Sequence, residues 1–223
     1  MQVAYLLYDR FTALDITGPH EVLNSLPHTE SIFVAEKAGP LRNESDTLSL
    51  VADASIEEVT EPGIVVVPGG FGTRALLEHE PLLSWLRQVH EGTQWTTSVC
   101  TGALLLAAAG LLDGKRASTH WLIPDLLAEL GAVPVRDRVV REGKIITAAG
   151  VSAGIDMALT LVKEMYGTEA AQAVQLGIEY DPQPPVDAGS PEKAPQPIID
   201  VVTAAFQAQE ASGGQPAALG SEG

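Results

Sequence analysis

Two kinds of stretch take turns along this chain. One is short and almost wholly apolar. The other repeats its apolar positions every three or four residues, and clusters of Gly, Pro, Asp and Asn separate the two. The first kind reads as buried strand and the second as amphipathic helix. Residues 2–8 are mostly apolar with little alternation, as a central parallel strand requires. The clearest strand is 63–70, a β-branched run ending in Pro68-Gly69-Gly70. Others are predicted at 31–35, 48–52, 95–99 and 116–119, and 139–147 reads as a hairpin turning at Gly143. Helices are expected from about Pro19 to Leu26, with Pro19 in the first turn, and over 82–90, where Leu82, Leu83, Leu86 and Val89 share a face. A helix follows Cys100 and ends near 110–114, and another runs from Pro124 to Leu130. Residues 152–166 and 168–180 are expected to form two more, N-capped by Ser152 and Thr168. A proline-rich arm over 179–197 then leads to a last helix at 198–207.

Strands alternating with helices imply an α/β fold, a mostly parallel sheet with helices on both faces. Binding sites in such sheets gather at the carboxyl ends of the strands. Asp15, Gly70, Cys100 and His120 each follow a predicted strand.

Composition narrows the setting. The 223 residues and 45% hydrophobic content suit one large domain, expected over 1–210, with a disordered tail at 211–223. A single cysteine permits no internal disulfide and fits a reducing, cytoplasmic compartment. The apolar start Val3-Ala4-Tyr5-Leu6-Leu7 lacks a basic flank, so no secretory leader is expected. No stretch has the length of a membrane span. The formal charge of −16 argues against nucleic acid as a partner and leaves a neutral small molecule open.

The candidate chemistry centres on Trp95-Thr96-Thr97-Ser98-Val99-Cys100-Thr101-Gly102-Ala103-Leu104. Its first half suits a strand and its second a helix, so Cys100 falls on the junction, with Gly102 allowing a sharp turn. A helix N-terminus favours negative charge, and hence the nucleophilic thiolate. A lone cysteine can equally be an inert buried hydrophobe. Asp15, between Leu14 and Ile16, reads either as a capping or surface aspartate or as a carboxyl with a raised pKa, able to act as an acid. Gly69 and Gly70 allow backbone N–H groups to approach a ligand, or simply end a strand. His120 is open between general base, thiolate partner and structural histidine. Gly150-Val151-Ser152-Ala153-Gly154 matches the serine nucleophile elbow, yet all five histidines precede Ser152, against the usual hydrolase order. Ser152 is therefore read as a cap between close-packing glycines. The scattered histidines lack metal-ligand spacing, so no metal site is expected.

Ser98-Val99-Cys100-Thr101-Gly102, with Val67-Pro68-Gly69-Gly70 before it and Ser118-Thr119-His120-Trp121 after it, resembles the PfpI-type superfamily. That group holds the Parkinsonism-associated protein and the PfpI proteases, and is related in fold to class I glutamine amidotransferases. Within it, Leu14-Asp15-Ile16-Thr17-Gly18-Pro19-His20 and Asp187-Ala188-Gly189-Ser190-Pro191 resemble the isocyanide hydratases, where many other members carry glutamate at the Asp15 position. The likeness runs to about Pro197. Sensor domains of AraC-type regulators carry similar segments but continue into a helix-turn-helix module, for which no room is expected here.

The resemblance implies a dimeric flavodoxin-like enzyme without a cofactor. Cys100 would be the nucleophile, Asp15 the general acid and base, and Gly69, Gly70 and Thr101 the oxyanion or substrate contacts. His120 would contribute to site architecture. The substrate would be a small uncharged isocyanide, hydrated to a formamide, and no arginine is expected beside it. Two other readings share the same elbow: a glyoxalase or deglycase acting on small aldehydes, and a sensor whose Cys100 oxidises.

Overall fold

The computed structural model describes residues 1–211; the tail expected after Ala211 lies beyond them. β1 (Gln2–Leu6) leads into α1 (Ala13–Leu23), followed by β2 (Glu30–Ala35), the hairpin β3 (Gly39–Arg42) and β4 (Ser49–Ala52), and the short β5 (Ala54–Ser55). β6 (Ile64–Val67) ends at Pro68-Gly69-Gly70 and is succeeded by the single turn α2 (Thr73–Leu76) and by α3 (Glu80–Gly92). β7 (Trp95–Val99) delivers Cys100 to α4 (Gly102–Ala108). Then come β8 (Arg116–Ala117), α5 (Pro124–Glu129), β9 (Val133–Pro134), β10 (Val139–Glu142), β11 (Ile145–Ala148), α6 (Ala153–Tyr166), α7 (Thr168–Gly177) and α8 (Gln196–Ala211).

Seven strands form the main sheet in the order β10-β11-β7-β6-β1-β2-β5. Every pairing in it is parallel except β10 with β11. α1, α6 and α7 pack together over the sheet, while α4 gathers α2, α3 and α5 on the other face. This is the mostly parallel, flavodoxin-like arrangement expected. β6 and β7 are buried along their whole length, which explains their Val- and Thr-rich sequences. The threonines in β7 satisfy their hydroxyls: that of Thr97 donates to the Val65 carbonyl at 2.9 Å, and that of Thr96 meets His90 Nδ1 at 2.8 Å.

Several local expectations are corrected. α1 begins at Ala13, six residues before Pro19, and so carries Asp15 in its first turn and Pro19 in its interior. From inside α1, Pro19 packs against α6. A Cβ on Gly154 would lie 3.1 Å from its ring and 3.2 Å from Val99, so the bare glycine lets α6 press against α1 and β7. The stretch 116–119 yields only two strand residues, which pair with β9 outside the main sheet. Ser152 makes no capping hydrogen bond; its Oγ accepts from Arg138 at 3.2 Å. Thr168 is the first helical residue of α7, and Gly167, at φ 89°, holds the cap position. An Asp, Ser or Thr near a helix start marks the region without fixing which residue leaves helical geometry.

Candidate active site

β7 stops at Val99, and Cys100 takes a left-handed backbone conformation at φ 57° that few non-glycine residues adopt. The surroundings hold it there. Its N–H donates to the carbonyls of Ala148 and Ala149, both at 3.1 Å, and its own carbonyl accepts from the Thr119 hydroxyl at 3.0 Å. Gly102 follows because α4 starts against the end of β6: a Cβ there would collide with the carbonyl oxygens of Val67 and Pro68. A strand-to-helix turn of this tightness turns the thiol into a cavity lined by Cys100, Thr101 and Gly70.

The thiol is not the free thiolate that a helix N-terminus alone predicts. Burial pushes Cys100 up, the Asp15 charge pushes it further, and N–H groups of Thr101 and Val151 pull back only in part. The magnitudes explain the order. A helix terminus contributes on the order of 1 kcal/mol, whereas full burial shifts a pKa by roughly 3–5 units at 1.36 kcal/mol each.

Asp15 is fully buried. Its Oδ2 accepts the Gly69 N–H at 2.8 Å, and its Oδ1 has no partner among the described residues. Burial raises its pKa well above the ordinary value, the Gly69 N–H lowers it, and nearby Glu44 raises it again. Gly69 stands between the two groups, because a Cβ on it would lie 2.9 Å from the Cys100 Cβ. Asp15 and Cys100 are thus two buried acids close enough for one negative charge to oppose the other. A carboxyl whose pKa is raised near a thiol is suited to deliver a proton.

The remaining residues named from sequence have distinct placements. The Gly70 N–H donates to Thr101 Oγ1 at 2.8 Å, so it fixes that hydroxyl. Gly70 itself has φ 135°, and a Cβ there would strike the Arg10 carbonyl. The Gly69 N–H is likewise taken, by Asp15. The N–H groups directed at the sulfur belong to Thr101 and Val151, and Val151 lies in the segment 150–154, whose match to a serine elbow was set aside. His120 lines the cavity, with burial lowering its pKa to about 4, so its imidazole is neutral near pH 7. Its Nδ1 accepts the Leu122 N–H at 3.4 Å, which puts the ring proton on Nε2. The ring also presses on Gly150, where a Cβ would sit 2.6 Å from Cδ2.

The cavity holds about 250 Å³ and has walls that sequence reasoning missed. Glu44 enters from the β3–β4 turn, inside a polar run that reads as surface loop. Arg74 enters from α2, against the expectation that no arginine stands near the site; α2 is one turn past Gly70, too short for a periodicity to reveal its facing. The far wall is α8, through Val202, Ala205, Phe206 and Gln209. Phe206 stacks on His120 with ring centres 5.7 Å apart and planes 6° from parallel, and lies 5.2 Å from Phe71. Glu210 accepts from Arg74 Nε at 3.2 Å and Nη2 at 2.6 Å. Among the described residues no group of three His, Cys, Asp or Glu is arranged to hold a metal ion.

Comparison with known proteins adds to this geometry. The DJ-1/PfpI family model matches residues 1–164. The isonitrile hydratase of Pseudomonas putida is 46% identical over 200 residues, spanning 90% of this chain and 87% of that protein. The transcriptional regulator GbdR of Pseudomonas aeruginosa is 30% identical over 80% of this chain, but the match spans only half of the regulator. Among solved structures, a THiJ/PfpI family protein from Pseudomonas syringae superposes with a TM-score of 0.90 at 35% identity, covering 95% of this chain and 88% of that one. DJ-1beta of Drosophila melanogaster shares the fold at a TM-score of 0.72 and 22% identity, over 80% of this chain and 97% of that one.

Proposed function

The chain belongs to the DJ-1/PfpI family, and we propose that within it this protein hydrates isocyanides (isonitriles) to N-substituted formamides, using Cys100 as nucleophile and Asp15 as acid and base. The observation that carries the chemistry is the unpaired Oδ1 of a fully buried Asp15, whose pKa burial raises, near the chain's one thiol. The likeness to an isonitrile hydratase over nine-tenths of the chain supports the substrate class.

The steps balance as follows. The reactive form is reached when the buried Cys100 thiol gives up its proton to solvent, so that the pair holds one proton, with Cys100 as thiolate and Asp15 as carboxylic acid. The sulfur attacks the terminal isocyanide carbon and forms a C–S bond. Asp15 gives its proton to that carbon, leaving a thioimidate and an aspartate. The aspartate then takes a proton from water as the hydroxide adds to the same carbon, and passes that proton to nitrogen. Collapse breaks the C–S bond, the hydroxyl proton returns to Asp15, and the formamide leaves with the thiolate restored. N–H groups of Thr101 and Val151 steady the sulfur while its charge changes. The hydroxyl of Thr101, held by Gly70, offers a fixed polar edge to the incoming carbon or water. Neutral His120 shapes the pocket and moves no proton near pH 7. The reaction needs no cofactor.

The test is formamide production from phenyl isocyanide, with Cys100→Ala as control. The expected result is cysteine-dependent turnover above roughly 0.1 per second, the low side of ordinary enzymes. Formamide formed equally by the Cys100→Ala protein overturns the mechanism. If neither protein forms any, the hydratase reading falls, and methylglyoxal is the next substrate to try.

A further inference from the structure

The family model ends at residue 164, yet the far wall of the cavity is built by α8, residues 196–211. The elbow, Asp15 and the Gly69-Gly70 turn all lie inside the shared region, whereas Phe206 and Glu210 lie outside it. We infer that α8 is the substrate-selecting element of this enzyme: Phe206 sets the size and flatness of the side group admitted, and Glu210 keeps the pocket closed to anions by neutralising Arg74. The inference deepens the isocyanide hydratase reading and takes its neutral substrate from it.

Three features support it. Phe206 closes an aromatic wall with His120 and Phe71, stacked near-parallel on His120, and the three rings line the same cavity as Cys100. At about 250 Å³ the cavity falls below the roughly 300–1,000 Å³ of pockets for drug-sized ligands, so one ring or a compact alkyl group is the natural load. Arg74 is the one Lys or Arg among the described lining residues, and its Nη1 is buried without a partner there. Without Glu210, Glu44 would be the one carboxyl among the described lining residues set against that cation, which would be freer to draw a carboxylate or phosphate. Glu210 meets it through two hydrogen bonds to a single carboxylate oxygen, so the helix that shapes the pocket also cancels its charge.

Because Cys100 is the chain's one thiol, its alkylation reads the selection without requiring turnover. The full-length protein and its Phe206→Ala, Phe206→Leu and Glu210→Gln variants are treated with iodoacetamide, an N-naphthyl iodoacetamide and iodoacetate, and adduct formation is followed by mass spectrometry. Circular dichroism confirms that each variant is folded. Phe206→Ala is expected to raise the naphthyl-to-plain iodoacetamide rate ratio about tenfold, with Phe206→Leu between it and the parent. Glu210→Gln is expected to raise the iodoacetate-to-iodoacetamide ratio about fivefold, an advantage that high salt removes. Size ratios unmoved in both Phe206 variants, or a charge ratio unmoved in Glu210→Gln, overturn the selecting role. Formamide assays run in parallel separate the two ideas. A parent that makes formamide with unmoved ratios loses only the α8 inference, and shifted ratios without any formamide lose only the hydratase reading.

Discussion

Asp15 keeps one oxygen tied to the backbone and the other free, and that asymmetry makes it testable. Asp15→Asn retains an oxygen to accept the Gly69 N–H but has no proton to deliver, so turnover should fall about 10²–10⁴-fold. Stability should move the other way. The native pKa of Asp15 lies well above its ordinary 3.8, so the folded state holds a proton that the unfolded chain releases. Stability is then lost as pH rises from about 4 through the native pKa. Asparagine lacks this penalty, and urea melts at pH 4.5 and 8 should show the variant gaining on the parent at the higher pH. The position of Cys100 at a strand-to-helix junction was legible from its neighbours in sequence, whereas Asp15 stayed open between a cap and an acid until the resemblance singled it out. The protonation of Cys100 was not legible. The helix terminus visible in sequence argues for a thiolate, while the burial that outweighs it exists only once the fold closes.

At the scale of elements, the strands were the most legible part, since buried β-branched runs such as Ile64–Val67 have few other ways to fold. Helix starts were less so. Pro19 read as a first-turn residue and lies inside α1, where its ring packs on Gly154 of a helix that sequence cannot place beside it. The elbow depends on a similar contact. Gly102 is required because α4 begins against the carbonyl oxygens closing β6, so Gly102→Ala should cost at least about 1–3 kcal/mol and misplace the thiol. A lowered melting midpoint together with lost turnover would check this; an unchanged midpoint would mean that the turn can relax. α8 was expected as a helix but not as a wall. Its ion pair joins residues 136 positions apart, and no local pattern reports such a distance.

Across the whole molecule, a formal charge of −16 surrounds a pocket in which Arg74, the one arginine among the described lining residues, is paired with Glu210. An uncharged isocyanide feels little of that field, so kcat/KM should change less than about twofold between 20 and 500 mM salt. An anionic substrate would instead gain from screening. Assays over that salt range distinguish the two. The sequence conveyed the convergence of the site at the strand ends, because alternating strands and helices dictate it. It did not convey what faces the site from across the cavity. That division has a consequence in time. β6 and β7, which present the chemistry, are wholly buried at the middle of the sheet, whereas α8 buries no residue fully. Segments with little burial open first and buried central strands last. In rising urea, α8 should let go while the elbow stands, and hydrogen exchange should find its amides unprotected before those of β7. Over that interval the protein would still attack its substrate, having forgotten which one it prefers.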